Sequence, residues 1–291
     1  MTDLTQFTVI IPAHNEEAVI GRCLTKALQD APAGHSTQFI VAANGCADRT
    51  VEVARAKAPG ALILDLAEGS KPYAMNAANE VAKYFPRIYL DADVQCDYHS
   101  LLSLANALRQ KGVMAGSPSL SLDLSRSSYP IKSYYRVWQT QPYVTEKLVG
   151  SGCYGISREA HERIGAFPQI TGDDIWVRTR FRPEERVNVS KDAAGKPVFF
   201  VVTPPRRAID QIRVETRRRL GNQEMIRLHP SPYHTRSNAV RNLQLALRNG
   251  VSPLDLAFYI GIKALVRLRL EFVKRRNNVI VWERDEAARQ P

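Results

Sequence analysis

Short apolar runs alternate with segments of helical periodicity through the N-terminal third of the chain. FTVIIPA (7–13) is a continuous, β-branched run, and HNEEAVIGRCLTKALQDA follows it with Val19, Cys23, Leu24, Ala27 and Leu28 at helical spacing. QFIVAAN (38–44) predicts a second buried strand, then a turn, GCADRT, and a helix through residue 58. ALILDLA (61–67) predicts a third strand with a helix over 72–84, and RIYLDAD (87–93) a fourth. Strand and helix in this rhythm predict an α/β fold, a mostly parallel sheet with flanking helices. Such a sheet binds its ligand outside the carboxyl ends of its strands. The unusual residues stand at those ends: Pro12 to Glu16, Asn44 to Asp48, Asp65, and Asp91 with Asp93.

Each strand end has two readings. PAHNEE leaves backbone N–H groups and short polar side chains facing a crevice, which suits a nucleobase or ribose; Asn15 equally reads as a helix N-cap with glutamates beside the positive helix end. AANGCADRT also reads as a tight turn with Asp48 capping the next helix. In EGSKPYAMNAANEVA, Lys71 near a helix start can pair with a phosphate and Asn76 can reach into the crevice, whereas Asn79 reads as a polar residue on an amphipathic helix. The segment is not a Walker loop, because the GxxxxGK[ST] spacing is absent. In an extended strand end, residues i and i+2 point the same way, so Asp91 and Asp93 can face one site, as a hard divalent ion beside phosphate oxygens requires. An isolated DxD also fits a strand-end turn whose acids cap the next segment.

Composition narrows the class. With 44% apolar and 24% charged residues in 291, the chain is a globular protein of one large domain, or one domain with an appendage. The four cysteines, 23, 46, 96 and 153, form no CxxC pair, which favours a reducing compartment, and Cys153 reads as small and buried. MTDLTQFTVIIPAHNEE shows no basic leader with a long apolar stretch, so the protein is expected to stay in the cytoplasm.

Charge is divided unevenly. Residues 1–204 carry 22 Lys+Arg against 21 Asp+Glu, and residues 205–291 carry 18 against 8. That asymmetry suits an anionic partner (a phosphate-bearing ligand, nucleic acid or an acidic membrane face) or a solvated arginine-rich surface. PLDLAFYIGIKALVRLRLEFVKRR is broadly apolar, but Asp255, Lys263, Arg267 and Arg269 interrupt it. It fits an interfacial amphipathic helix or a docked helix better than a spanning one. VIVWERDEAARQ closes the chain with no chemical motif.

Six blocks, FTVIIPAHNEEAVIGRCL, FIVAANGCADRTVEVA, GSKPYAMNAA, YLDADV, GSGCYGISREAHERIGAFP and TGDDIWVRTRF, resemble in order and spacing the family-two glycosyltransferases of GT-A fold, over residues 7–225. The resemblance implies a catalytic domain over 1–225; the remaining 226–291 read as a basic helical extension, either membrane-associated or docked on that domain. It implies that Pro12, His14, Asn15 and Glu16 line a nucleoside pocket. Asn44 stands where the family has an aspartate near the base or ribose. Lys71 and Asn76 match the donor-binding segment, and Asp91 and Asp93 match the DxD motif, with Asp93 the direct metal ligand and Asp91 also near the ribose or sugar. Asp174 matches the catalytic base, with Asp173 orienting it or binding the acceptor, beside the glycine-rich GSGCYG. Arg218 and Arg219 would approach the donor diphosphate. In RLHPSPYHT, His229 and His234 read first as structural or solvated loop histidines and second as a third metal ligand.

The activity so implied is inverting transfer from a nucleoside-diphosphate sugar, UDP-sugar by default, with Mn²⁺ or Mg²⁺. The acceptor is a hydroxyl, lipid-linked or on a polysaccharide, met at the cytoplasmic face of an anionic membrane, with no nucleic acid. A retaining GT-A transferase, or a sugar-nucleotide nucleotidyltransferase, is the alternative; the latter lacks its GxGxR-type loop here. A non-catalytic nucleotide- or nucleic-acid-binding protein would leave the ordered acidic motifs unexplained, and the basic tail lacks aromatic interleaving.

Overall fold

β1 (Thr8–Ala13) is buried along its whole length, as a strand covered on both faces must be. This computed structural model describes residues 3–145, 149–234 and 238–275. After β1 come α1 (Ile20–Ala27), β2 (Gln38–Asn44), α2 (Thr50–Lys57), β3 (Leu62–Leu66), α3 (Lys71–Val81) and β4 (Arg87–Leu90). β3, β2, β1 and β4 lie side by side and parallel. The α/β expectation therefore holds in its four strands and intervening helices.

The sheet continues with antiparallel strands. β5 (Gln95–Cys96), α4 (Tyr98–Leu108), β6 (Ala115–Leu122), α5 (Tyr129–Trp138), α6 (Pro142–Thr145), β7 (Cys153–Ile156), α7 (Arg158–Ile164), α8 (Asp173–Arg178), β8 (Arg186–Val189) and β9 (Phe199–Val202) follow in the chain. β7 runs antiparallel to both β4 and β6, and β5 to β9, while β8 pairs parallel with β6. A core of Phe7, Val9, Ile11, Leu24, Val41, Ile88, Leu90, Leu101, Leu104 and Phe200 fills the space between the sheet and its helices. At about 25 cal/mol per Å² of apolar surface removed from water, burial of such residues is what holds the strands in register.

These strands, with α1–α4, α7 and α8, make up one compact unit, residues to Ser121 together with Val149–Val202. The second unit is helical: α5, α6, α9 (Ala208–Leu228), α10 (Ala239–Arg248) and α11 (Pro253–Arg275). Residue 225, where the sequence reading ends its catalytic domain, lies inside α9. α11 packs against α5 and α9, and Val137, Ala246 and Leu256 are buried together. Ser252 caps α11, accepting from the Asp255 amide at 3.1 Å and donating to its carboxylate at 2.9 Å. Lys263 on α11 pairs with Glu215 on α9. Burial alone would raise Glu215, but Arg218 and Lys263 outweigh it and hold the carboxyl at about 2. Among the described residues no helix is long and apolar enough to cross a membrane. Residues 276–291, with VIVWERDEAARQ, lie outside the described residues.

Candidate active site

The site grows from the end of β4. The strand stops at Leu90, so Asp91 and Asp93 lie in the turn beyond it, closed by the Val94 amide on the Asp91 carbonyl at 3.0 Å. This corrects the strand-end geometry expected for the pair. Alternation by two holds only while the backbone is extended, and the turn leaves Asp91 half-buried and Asp93 exposed. The Asp91 amide donates to the Gly152 carbonyl at 2.8 Å, which ties the turn to the loop before β7.

Lys71 joins motifs that are far apart in sequence. At the start of α3, where Ser70 is the N-cap, its Nζ lies 2.7 Å from Asp91 Oδ1 and 3.0 Å from Asp173 Oδ1. Burial opposes the ammonium charge, but Asp173 and Asp91 outweigh it and hold Lys71 well above the usual lysine range. Burial pushes the Asp91 carboxyl up; Lys71 draws it back, and repulsion from Asp173 and Asp93 leaves it raised. The other oxygen of Asp173 accepts from Tyr154 Oη at 2.7 Å. Burial lifts the Tyr154 phenol far above its ordinary value, so it remains a donor. Tyr154 packs on Tyr89, whose hydroxyl donates to Asn79 at 2.9 Å, so Asn79 is a packing residue, as its helical position suggested.

Asp174 is held differently. Its Oδ1 accepts from the Ile175 amide at 2.8 Å, at the start of α8, and its Oδ2 from the Ser151 amide at 3.2 Å. Gly150, Ser151 and Gly152 all have positive φ, 126°, 59° and 104°. A Cβ on Gly150 would stand 2.5 Å from Asp174 Oδ2, and one on Gly152 2.5 Å from Val94 Cγ2. The loop thus touches the Asp91 turn on one side and Asp174 on the other, at a closeness only glycine permits.

The remaining strand ends are tied to one another. Pro12 is buried in β1. The His14 ring Nδ1–H donates to the Asn44 carbonyl, and the Asn44 amide donates to the carbonyls of Ala13 at 2.8 Å and Ala42 at 3.2 Å. Asn15, at φ 50°, accepts from the Ala47 amide at 2.6 Å. The buried Glu16 donates its amide to Thr50 Oγ1 at 2.6 Å, and Asp48, one residue ahead of the α2 N-cap Arg49, accepts from Thr50 N at 3.0 Å. Asn76 is engaged at both ends by the backbone of Phe167, at 2.8 Å each way. Arg218 and Arg219 lie on α9 in the helical unit, where Arg218 is 3.5 Å from Glu215.

A model of glycosyl transferase family 2 matches residues 8–165, more than half of the chain. The chain belongs to glycosyl transferase family 2. The family match ends before Asp173 and Asp174, so their place rests on geometry. Solved structures share the GT-A fold of this family-2 chain. A mannosyltransferase from Pyrobaculum calidifontis, in complex with GDP-Man and Mn²⁺, is 20% identical with a TM-score of 0.57, over 94% of this chain and 76% of its own. Glucosyl-3-phosphoglycerate synthase from Mycobacterium tuberculosis, with Mn²⁺, UDP-glucose and phosphoglyceric acid, is 16% identical with a TM-score of 0.55, over 81% of this chain and 84% of its own. No curated protein matches the sequence.

In this family-2 domain no group of three or more His, Cys, Asp and Glu side chains is gathered for a metal, among the described residues. Of the two acids in the turn after β4, Asp91 is half-buried and paired with Lys71 and Asp93 is exposed. Carboxylates are the ligand type that a hard divalent ion prefers. Sequence reasoning passed over Tyr154. Its signal is faint: a tyrosine two residues past a Gly-Ser-Gly turn, whose partner Asp173 is nineteen residues away.

Proposed function

We propose that the chain is a metal-dependent, inverting glycosyltransferase that moves a sugar, a hexose in the default reading, from a nucleoside-diphosphate donor to an acceptor hydroxyl. One observation carries the reading: the Gly150–Gly152 loop holds Asp91 at one end, through the 2.8 Å bond to Gly152, and Asp174 at the other, through the 3.2 Å bond to Ser151. A donor carboxylate and an acceptor carboxylate are thereby set on either side of one turn. Asp174 removes the acceptor proton as the hydroxyl oxygen attacks the anomeric carbon, and the bond to the nucleoside diphosphate breaks on the opposite face. Asp173, held by Lys71 and Tyr154, orients the start of α8 and with it Asp174. Asp91 and Asp93 would hold Mn²⁺ or Mg²⁺, which supplies positive charge against the leaving diphosphate. Pro12, His14, Asn15, Glu16 and Asn44 frame the nucleoside end of the site, with Lys71 and Asn76 behind the sugar end; a diphosphate role for Arg218 and Arg219 rests on the family resemblance alone.

The nucleotide-bound relatives, one with GDP-Man and one with UDP-glucose, support this donor class. UDP-sugars are the first donors to test and GDP-sugars the second, with lipid-linked and polysaccharide acceptors screened beside small phosphorylated hydroxy acids. The deciding experiment is calorimetry with UDP and GDP, with and without Mn²⁺, on wild type and Asp174→Asn. The reading expects metal-assisted binding in both proteins and transfer in the wild type alone. Absence of nucleoside-diphosphate binding with metal refutes the function; equal loss of binding and transfer refutes the role of Asp174.

A further inference from the structure

α11 is apolar on two opposite faces. Leu256, Ile262, Val266 and Leu270 are buried in the helical unit, at 9%, 4%, 0% and 4% exposure. Leu254, Ile260, Leu265, Leu268 and Phe272 are left exposed at 54%, 49%, 50%, 69% and 54%. At 100° per residue, Leu254, Leu265, Leu268 and Phe272 fall within one arc, with Ala257, Gly261 and Ala264 as small residues in the same outward stripe. A surface helix of a soluble unit needs only one apolar stripe. Four large exposed side chains in one arc along 19 residues are the kind of contiguous patch that marks an interaction surface.

Charge decides what the stripe meets. Arg267 and Lys274 project on one flank and Arg275 lies at the C-terminal end, with Glu271 the exposed acid among them. Two copies of this face laid together would bring cations against cations. Residues 205–291 carry 18 basic against 8 acidic residues, so the field around the helix is positive. An apolar stripe flanked by cations is complementary to a bilayer with anionic headgroups, into which an interfacial helix buries one face while lysine and arginine meet the phosphates. We infer that the outward face of α11 docks this chain on an anionic lipid surface. The docking does not depend on the donor chemistry, so either can fail alone.

The test is co-sedimentation of the full chain with vesicles of phosphatidylcholine alone and of phosphatidylcholine with an equal part of phosphatidylglycerol. Binding is expected to the anionic vesicles only, and to weaken as salt rises. Leu268→Glu with Phe272→Glu should lower it at least tenfold, and Arg267→Glu with Lys274→Glu should lower it comparably. Both pairs are exposed, so melting temperatures should match the wild type, and a pair that fails this check is replaced by Leu254→Glu with Leu265→Glu. The inference is overturned if the full chain ignores anionic vesicles, or if the apolar pair binds them as wild type does. It is also overturned if light scattering shows a dimer that the apolar pair abolishes while vesicle binding is unchanged.

Discussion

Lys71→Met removes the ammonium between Asp91 and Asp173 and keeps most of the apolar stem. The two contacts, 2.7 and 3.0 Å, are each worth about 6 kcal/mol at an effective dielectric of about 20 before desolvation is subtracted. Lys71 and Asp91 are 26% and 38% exposed, so solvent screens much of that, while Asp173 at 9% is nearly enclosed. With the cation gone, two carboxylates face each other across less than 6 Å, and the net cost is about 3 kcal/mol. In a unit of this size that is roughly 6–12 °C in melting temperature at pH 8. The sign with pH follows from linkage. Asp91 is already raised in the folded protein, and losing Lys71 raises it further, so the folded state binds more protons than the unfolded one. Stability of the variant then falls as pH rises from the ordinary aspartate range through the raised value. Melting curves at pH 5 and pH 8 should show the gap between wild type and variant widen at the higher pH, and Lys71→Arg should recover part of it. A variant that melts within 1 °C of wild type at both pH values would refute the bridge as a structural element.

Other expectations are more local. Gly150→Ala places a Cβ 2.5 Å from Asp174 Oδ2 in a backbone at φ 126°, so turnover should drop more than tenfold with donor affinity kept. Gly195→Ala is the control: it bears φ 83° with nothing within 4 Å, so it should lose about 1–3 kcal/mol of stability and no activity. Glu215, at about 2 against an ordinary 4.5, contributes about 3 kcal/mol that is present above pH 4.5 and lost as pH falls toward 2. Glu215→Gln should therefore melt lower at pH 7 and show a flatter acid limb; an unchanged limb would rule out that carboxylate as its source. Asp93→Asn should weaken Mn²⁺-assisted nucleotide binding, read by calorimetry, and leave metal-free binding unchanged.

The strand and helix order of the first 90 residues was readable because buried parallel strands are long apolar runs and α1–α3 follow the helical period between them. Asp48 was readable as an acceptor near the start of α2, where it takes the Thr50 amide, but Ser70 as the N-cap of α3 was not. The antiparallel half was less so. β6, AGSPSLSL, and β7, CYGI, are short or polar, and their pairing is set by partners distant in sequence.

The same division runs through the site. Sequence alone determined which residue types stand at the strand ends, and the family to which the ordered blocks belong, because those are local patterns along the chain. It did not determine which acid meets which cation. Lys71 is twenty residues from Asp91, and the 2.7 Å contact exists because α3 and the β4 turn are brought together by the sheet. Nor did it show that Asn44 and Asn76 hold backbone carbonyls and amides, that Tyr154 supports Asp173, or that α11 carries a second apolar face outward. Hydrogen bonds and ion pairs depend on distance in space. Only tertiary packing sets that distance, and an amphipathic pattern cannot say which apolar face is covered until its neighbours are in place.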